Sequence, residues 1–298
     1  MVSDELDSLE SLIRLIRAAR GLEAGGFYNA AKLFWALTYS NEVRASNHLG
    51  IPTDPEELDG VIESAIQDLV SQGANQELIT ALRYGREAAR SNRAIPASEI
   101  PPVYVCRACG EVILANSPGG DAPDQCPGCG AWELTFREFP PIYYLEPLHP
   151  QVVLEALEAA PRLVEGAVQG LNEAQMAQAP KPGEWGIREV LFHLLVTQEL
   201  LGGRVERMLA EDNPSLKGVA AWAAENQASL TSTALLEQYR HSRQATLALL
   251  KQMPVESWWR TAQHEEFGSV TILQQASYFA KHERSHLPQI AAVRQKLG

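Results

Sequence analysis

The sequence predicts an all-α protein in which two helical bundles are joined by a small cysteine-built insert. Three observations carry this. Apolar residues recur at three- and four-residue steps through both ends of the chain. Proline-rich breaks at 94–102 and 139–150 interrupt that periodicity, because proline removes a donor and biases its predecessor to extended backbone. All four cysteines fall between the breaks. The expected domains are therefore 1–95, 104–140 and 150–298.

Composition bounds the function. The chain has 298 residues, 45% hydrophobic and 21% charged, with a net charge of −12. That is ordinary globular composition, with length for two or three domains. The acidic balance argues against a phosphate-binding surface, and none of the three segments is net basic, so no nucleic-acid partner is expected. No apolar run reaches the roughly 18 residues of a membrane span, so no membrane partner is expected either. The N-terminus, Met-Val-Ser-Asp-Glu-Leu-Asp, has no signal-type apolar core, which points to a cytoplasmic protein. There, four cysteines favour metal over disulfide.

Four helices are expected in the first domain. Leu6, Leu9, Ile13 and Ile16 make the apolar stripe of the first. The second runs from about Glu23 to Asn47 with Phe27, Ala31, Phe34, Leu37 and Thr38, and is closed by Gly50 and Pro52. Thr53 with Glu56 reads as a capping box for the third, which carries Leu58, Ile62, Ile66 and Leu69 and stops at Gly73. The fourth runs from about Asn75 to Asn92. Four such helices with short loops make a bundle.

Tyr28-Asn29-Ala30-Ala31-Lys32-Leu33-Phe34 and Glu42-Val43-Arg44-Ala45-Ser46-Asn47-His48-Leu49, placed before a C-x-x-C pair, resemble the rubrerythrin family. That resemblance implies a bundle that binds two irons through Glu and Glu-x-x-His ligands. The matching positions here are Asn41, Arg44, Gly85 and Ala88, and Glu63 alone survives. One carboxylate cannot hold two irons, and Arg44 puts a cation where a cation should bind. A degenerate bundle without a di-iron centre is expected, with His48 outside the ligand set.

The insert reads Cys106-Arg107-Ala108-Cys109-Gly110 and Cys126-Pro127-Gly128-Cys129-Gly130, a C-x2-C-x16-C-x2-C spacing. Two such knuckles place four thiolates around one ion, and the glycine after each pair permits a positive φ. The stretch resembles the rubredoxin-like module of rubrerythrins, with a lengthened loop at Asn116-Ser117-Pro118-Gly119-Gly120-Asp121. Tetrahedral sulfur suits zinc or iron. Without a di-iron electron partner, a structural zinc holding a ribbon too small for its own core is the expectation.

In the last domain Val153, Leu157, Leu163, Val164, Ala167 and Val168 recur at helical spacing, and Pro161 is expected to start a new helix. After Pro180, Pro182 and Trp185, a helix from about Gly186 to Glu211 puts Val190, His193, Leu194, Thr197 and Leu201 on one face. Another carries Leu235, Leu236, Tyr239, Leu247 and Leu250. The last opens with a Thr271-x-x-Gln274 capping box and runs towards Lys296, with Phe279, His282, His286 and Ile290 on one stripe and a kink expected at Pro288. His282 and His286, four apart, share a face. From the residues alone, a shared metal with His193 and ordinary core or surface histidines both stay open.

Pro182 to Leu194, Glu266-Phe267-Gly268-Ser269-Val270-Thr271 and His282 to Ile290 resemble, in order, the DinB-like superfamily. The resemblance covers 150–298. It implies a four-helix bundle whose three metal-ligating histidines are His193, His282 and His286, a divalent zinc, nickel or iron ion there, and a small-molecule substrate or low-molecular-weight thiol. The function expected is metal-dependent transfer to or from a thiol, or hydrolysis. The alternative is a non-catalytic metal-binding stress or redox module, with the degenerate bundle mediating a homodimer.

His282-Glu283-Arg284-Ser285-His286 also spells H-E-x-x-H, the metalloprotease motif in which Glu is the general base. That class takes a third ligand downstream, and the 12 residues after His286 contain no His, Asp, Glu or Cys. Glu283 is therefore expected on a solvated face or beside the site. His264 is expected in a loop at the surface or near the site, His241 at the surface and Trp222 in the core.

Overall fold

A computed structural model describes residues 2–49, 54–93, 95–96, 98–115, 120–139, 146–181, 183–218 and 230–297, with the side chains of 2–9 and 47–49 left aside. The expectations for Leu6, Leu9, His48, Gly50, Pro52, Thr53, Pro182 and Trp222 lie outside what is described. The fold is mostly helical, and the chain divides into two compact units, 1–52 and 53–298.

The first unit is a hairpin of α1 (Val2–Ala24) and α2 (Tyr28–Leu49). Gly26, at φ 79°, makes the turn, so Glu23 ends the first helix rather than starting the second. The seam is built from small residues, Ala19 and Ala31, which are buried. Phe27, Leu37 and Ile13, expected to face inward, are 63%, 52% and 47% exposed, because two helices alone cannot enclose side chains of that size.

The second unit begins with α3 (Pro55–Ser71) and α4 (Gln76–Arg90). Asp54 caps α3 by accepting from the Glu57 N–H at 3.0 Å, with Pro55 in the first turn. Asn75 caps α4. Arg86 grips Asp59 at 2.6 and 2.7 Å and also pairs with Glu63, which Gln67 bonds as well. Glu63 is thus engaged in an ion pair.

The cysteine insert is a sheet in the order β2-β1-β3, from β1 (Val103–Cys106), β2 (Val112–Leu114) and β3 (Phe136–Phe139), all antiparallel. A single bridge, Gln125 to Trp132, closes the second knuckle.

In the C-terminal bundle α5 (Pro150–Val168) and α7 (Ile187–Ala210) each pack against α8 (Ser232–Gln252) and α9 (Ile272–Lys296). A short α6 (Glu173–Ala177) precedes α7. The Thr271–Gln274 capping box opens α9 as expected, and the helix runs on through Pro288 to Lys296. Contrary to expectation, Pro161 lies inside α5. Proline leaves the carbonyl four residues back without its helical donor, and here the Arg243 guanidinium donates to that carbonyl, Leu157 O, at 2.9 Å.

Two apolar layers fill the bundle. One centres on Val153, Leu157, Leu201, Leu250, Ala276 and Phe279, the other on Val164, Ile187, Leu191, Tyr239, Ile290 and Val293. Fully buried Leu, Ile and Phe side chains contribute about 1.5–3 kcal/mol each. Between the layers every long helix supplies something polar: Gln198 from α7, Arg243 from α8, Glu283 from α9 and the freed Leu157 carbonyl from α5. One sheet escaped the sequence reading. β4 (Ser215–Leu216), β5 (Thr261–His264) and β6 (Gly268–Thr271) align in that order at one end of the bundle. Strands of two to four residues are too short for a period-two pattern to register.

Candidate metal centres

Two of these helices, α7 and α9, also carry three histidines. His193 comes from the middle of α7, and His282 and His286 come from successive turns of α9. Their Nε2 atoms converge: His193 to His282 is 3.1 Å and His286 to His282 is 3.1 Å. Trp185 lies beside His193, with ring centroids 5.2 Å apart. Tyr278 stacks on His282 at 5.7 Å. His193 is buried and the other two are half-buried.

Protonation states follow from the surroundings. His286 Nδ1 lies 2.7 Å from the Gln289 amide oxygen, which can only accept, so Nδ1 carries the hydrogen and Nε2 is bare. Burial, then the neighbouring rings, holds His193 down to about 3 and His282 to about 4; burial also lowers His286. All three are neutral near pH 7. One proton on His282 Nε2 can make a linear bond to only one of its two neighbours. Three nitrogens spaced this way suit a cation: ligands about 2.05 Å from a tetrahedral zinc stand about 3.3 Å apart.

These depressed values set a stability trend for protein stripped of metal. An unfolded histidine takes a proton near pH 6.5, whereas folded His193 and His282 resist until about 3 and 4. The unfolded state therefore binds more protons below about 6.5, and stability falls as pH drops through that window. Denaturant midpoints at pH 7.5 and 5 should show a clear drop, and His193→Ala should flatten it.

The cysteines form the second cluster. Cys106 Sγ is 3.7 Å from Cys129 Sγ, and Cys109 Sγ is 3.6 Å from Cys126 Sγ. These are far beyond the roughly 2.05 Å of a disulfide and close to the ~3.8 Å between thiolates bound at about 2.3 Å to a tetrahedral ion. Gly110 and Gly130, at φ 84° and 73°, turn the backbone after each pair as expected. At Cys106, burial opposes ionisation, but the Cys109 and Ala108 N–H groups together with the Cys109 and Cys129 side chains outweigh it and hold the thiol down to about 6. Both clusters, His193-His282-His286 and Cys106-Cys109-Cys126-Cys129, bring their ligand atoms within 4.8 Å of one another. Cys126→Ser should release the knuckle's ion and unfold the insert while leaving the helical circular-dichroism signal nearly intact. Ferric-thiolate visible bands in the purified protein would overturn the zinc expectation at this cluster.

For two residues the structure removes the exposed one of the two expected placements. Glu283 is not solvated: it is 1% exposed, and both its oxygens bond the Arg243 guanidinium. A carboxylate so engaged cannot serve as the base of an H-E-x-x-H protease. His264 is not at the surface: it is 4% exposed, bonded to Arg204 at 2.7 Å. His241 is exposed, as expected. The sequence reading missed Arg204 and Arg243. An arginine at helical spacing among apolar residues was the available signal for both.

Comparison with known proteins locates this bundle. Residues 156–290 match the sequence profile of the DinB superfamily. A protein of Oceanobacillus iheyensis named "Putative metal-dependent hydrolase" is 26% identical over 142 residues, 47% of this chain and 83% of the relative. One of the same name from Geobacillus kaustophilus is 28% identical over 151 residues, 49% of this chain and 84% of the relative. Among solved structures, YfiT from Bacillus subtilis, described as "a probable metal-dependent hydrolase with an unusual four-helix bundle topology", is 19% identical and covers 51% of this chain and 91% of its own, with a TM-score of 0.47. The four-helix bundle protein TT2238 is 21% identical and covers 48% and 99%, with a TM-score of 0.35.

Proposed function

From the DinB superfamily domain that residues 156–290 form, we propose that the chain is a metal-dependent enzyme whose centre is His193, His282 and His286. The reaction we assign is group transfer to or from a low-molecular-weight thiol. The observation that carries the centre is the convergence of three imidazoles, with the Nε2 atoms of His193 and His286 each 3.1 Å from that of His282. The relatives' names support a metal and a hydrolytic or related reaction.

A divalent ion held there would act as a Lewis acid and lower the pKa of a ligating water or thiol. The protein's own residues do the rest. Gln289 fixes His286 in the tautomer that presents Nε2. Trp185 and Tyr278 flank the histidines with aromatic surface. Arg243 holds Glu283, and with it the helix turn between His282 and His286. The cysteine cluster, in this reading, is a structural zinc.

The full-length, metal-loaded chain is assayed with a small thiol and an aryl halide, following loss of free thiol. Metal-dependent consumption that disappears in His282→Ala supports the reading. Metal-dependent ester hydrolysis that ignores the thiol would replace transfer with hydrolysis, and no metal dependence in either assay would leave the non-catalytic module.

A further inference from the structure

A second polar cluster joins α7, α9 and β5 through residues other than the three histidines. Arg204 on α7 is 6% exposed, Gln275 on α9 is 0% exposed and His264 at the end of β5 is 4% exposed. Burial lowers the guanidinium to about 10, so it remains a cation at neutral pH. A buried charge is normally paired. Arg204 has no carboxylate within ion-pair distance among the described residues; its partners are Gln275 Oε1, Lys217 O and His264 Nε2, at 2.8, 2.8 and 2.7 Å. Glu266 acts on it only at longer range.

The cluster also has more donors than acceptors. His264 Nδ1 faces two backbone N–H groups, those of Glu266 and Phe267, each at 3.1 Å. Its Nε2 faces the Arg204 donor. A neutral imidazole has one bare nitrogen, so it cannot accept on both sides. The backbone donors are fixed by the β5–β6 turn, which leaves an N–H on Nε2 pointing at another N–H. Gln275 adds another case: its oxygen is taken by Arg204, and its buried Nε2 has no hydrogen-bond partner among the described residues. Turning the amide over would only set its N–H against the guanidinium. A buried positive charge and surplus N–H donors therefore meet in one place with no carboxylate in hydrogen-bond contact among the described residues.

We propose that Arg204, Gln275 and His264 form a carboxylate-binding subsite. An oxyanion supplies what the cluster lacks, a negative charge and lone pairs for a guanidinium fork. Carboxylate is favoured over phosphate because Glu266 stands nearby and repels a dianion more strongly. Gln275 and His282 are seven residues apart on α9, two turns along one face and about 10 Å along the axis. Tyr278, half-buried and stacked on His282, lies between them. The substrate class is a small molecule that carries a carboxylate remote from its reacting group. That extension rests on the metal-centre reading above.

The test is thermal protection of the full-length protein by sodium acetate, against sodium chloride at equal ionic strength and against inorganic phosphate. It is run in wild type and in His286→Ala, so loss of the histidine centre does not affect the outcome. Acetate should protect beyond chloride in both, and equally in Arg207→Gln, an exposed arginine on the same helix. Arg204→Gln should weaken acetate binding about tenfold or more. Gln275→Glu, which gives Arg204 a carboxylate from within, should fold and lose the response, and it decides the matter if Arg204→Gln does not fold. Equal protection by acetate and chloride, or an undiminished acetate response in Gln275→Glu, overturns the subsite. Stronger protection by phosphate overturns the carboxylate assignment.

Discussion

His193→Ala should strip the histidine-site ion at concentrations that saturate the wild type. The two α9 histidines would remain, but their two nitrogens cannot fix a coordination shell. Removing a residue that merely supports a ligand typically costs about 10–100-fold in metal affinity, so losing a ligand should cost more. His193 sits two-thirds of a bundle away in sequence, yet its Nε2 is 3.1 Å from His282 Nε2. The effect therefore tests the packing of α7 on α9 as well as the chemistry. Competitive titration against a zinc chelator gives the constants for the three histidine variants. His264→Ala is the control, because that ring faces Arg204 and the β5–β6 turn. A His264→Ala loss as large as the His193→Ala loss would sink the three-histidine assignment.

Arg243→Met should be the most destabilising single change in the bundle. Arg243 and Glu283 are each 1% exposed and bonded to one another. Removing one partner leaves a buried charge uncompensated, which typically costs about 3–5 kcal/mol. The Leu157 carbonyl above Pro161 would also lose its donor, as would Gln198 Oε1. For a chain this size the shift in Tm should be on the order of 10 °C. Removing both charges, in Arg243→Met with Glu283→Leu, should recover much of the loss, since an apolar pair can replace a buried ion pair at little cost. Denaturant unfolding of the two variants measures this. If the double variant is less stable than the single one, the ion pair is not what the layer depends on.

Much of the fold could be read from periodicity and caps. The Thr271–Gln274 box, the α7 face around His193 and the two cysteine knuckles each rest on local rules, spacing and side-chain-to-backbone bonds, and the structure places them as expected. What local rules missed was long-range. Pro161 looked like a helix start because the partner that rescues its turn, Arg243, is 82 residues downstream. Glu283 looked solvated because its neighbours in sequence are polar, and only bundle closure buries it against α8. His264 looked like a loop histidine because the sheet that encloses it has strands too short to announce themselves. The hairpin of α1 and α2 failed differently: its apolar stripe is present, but large side chains on it stay exposed.

The central claim is that His193, His282 and His286 hold one divalent ion. The most direct measurement is elemental metal content of full-length Cys126→Ser protein purified without added metal, where the cysteine cluster no longer contributes. One ion per chain is expected, falling to none when His193, His282 or His286 is also replaced by alanine and unchanged by His264→Ala. An ion retained in full by the His193→Ala protein would contradict the claim.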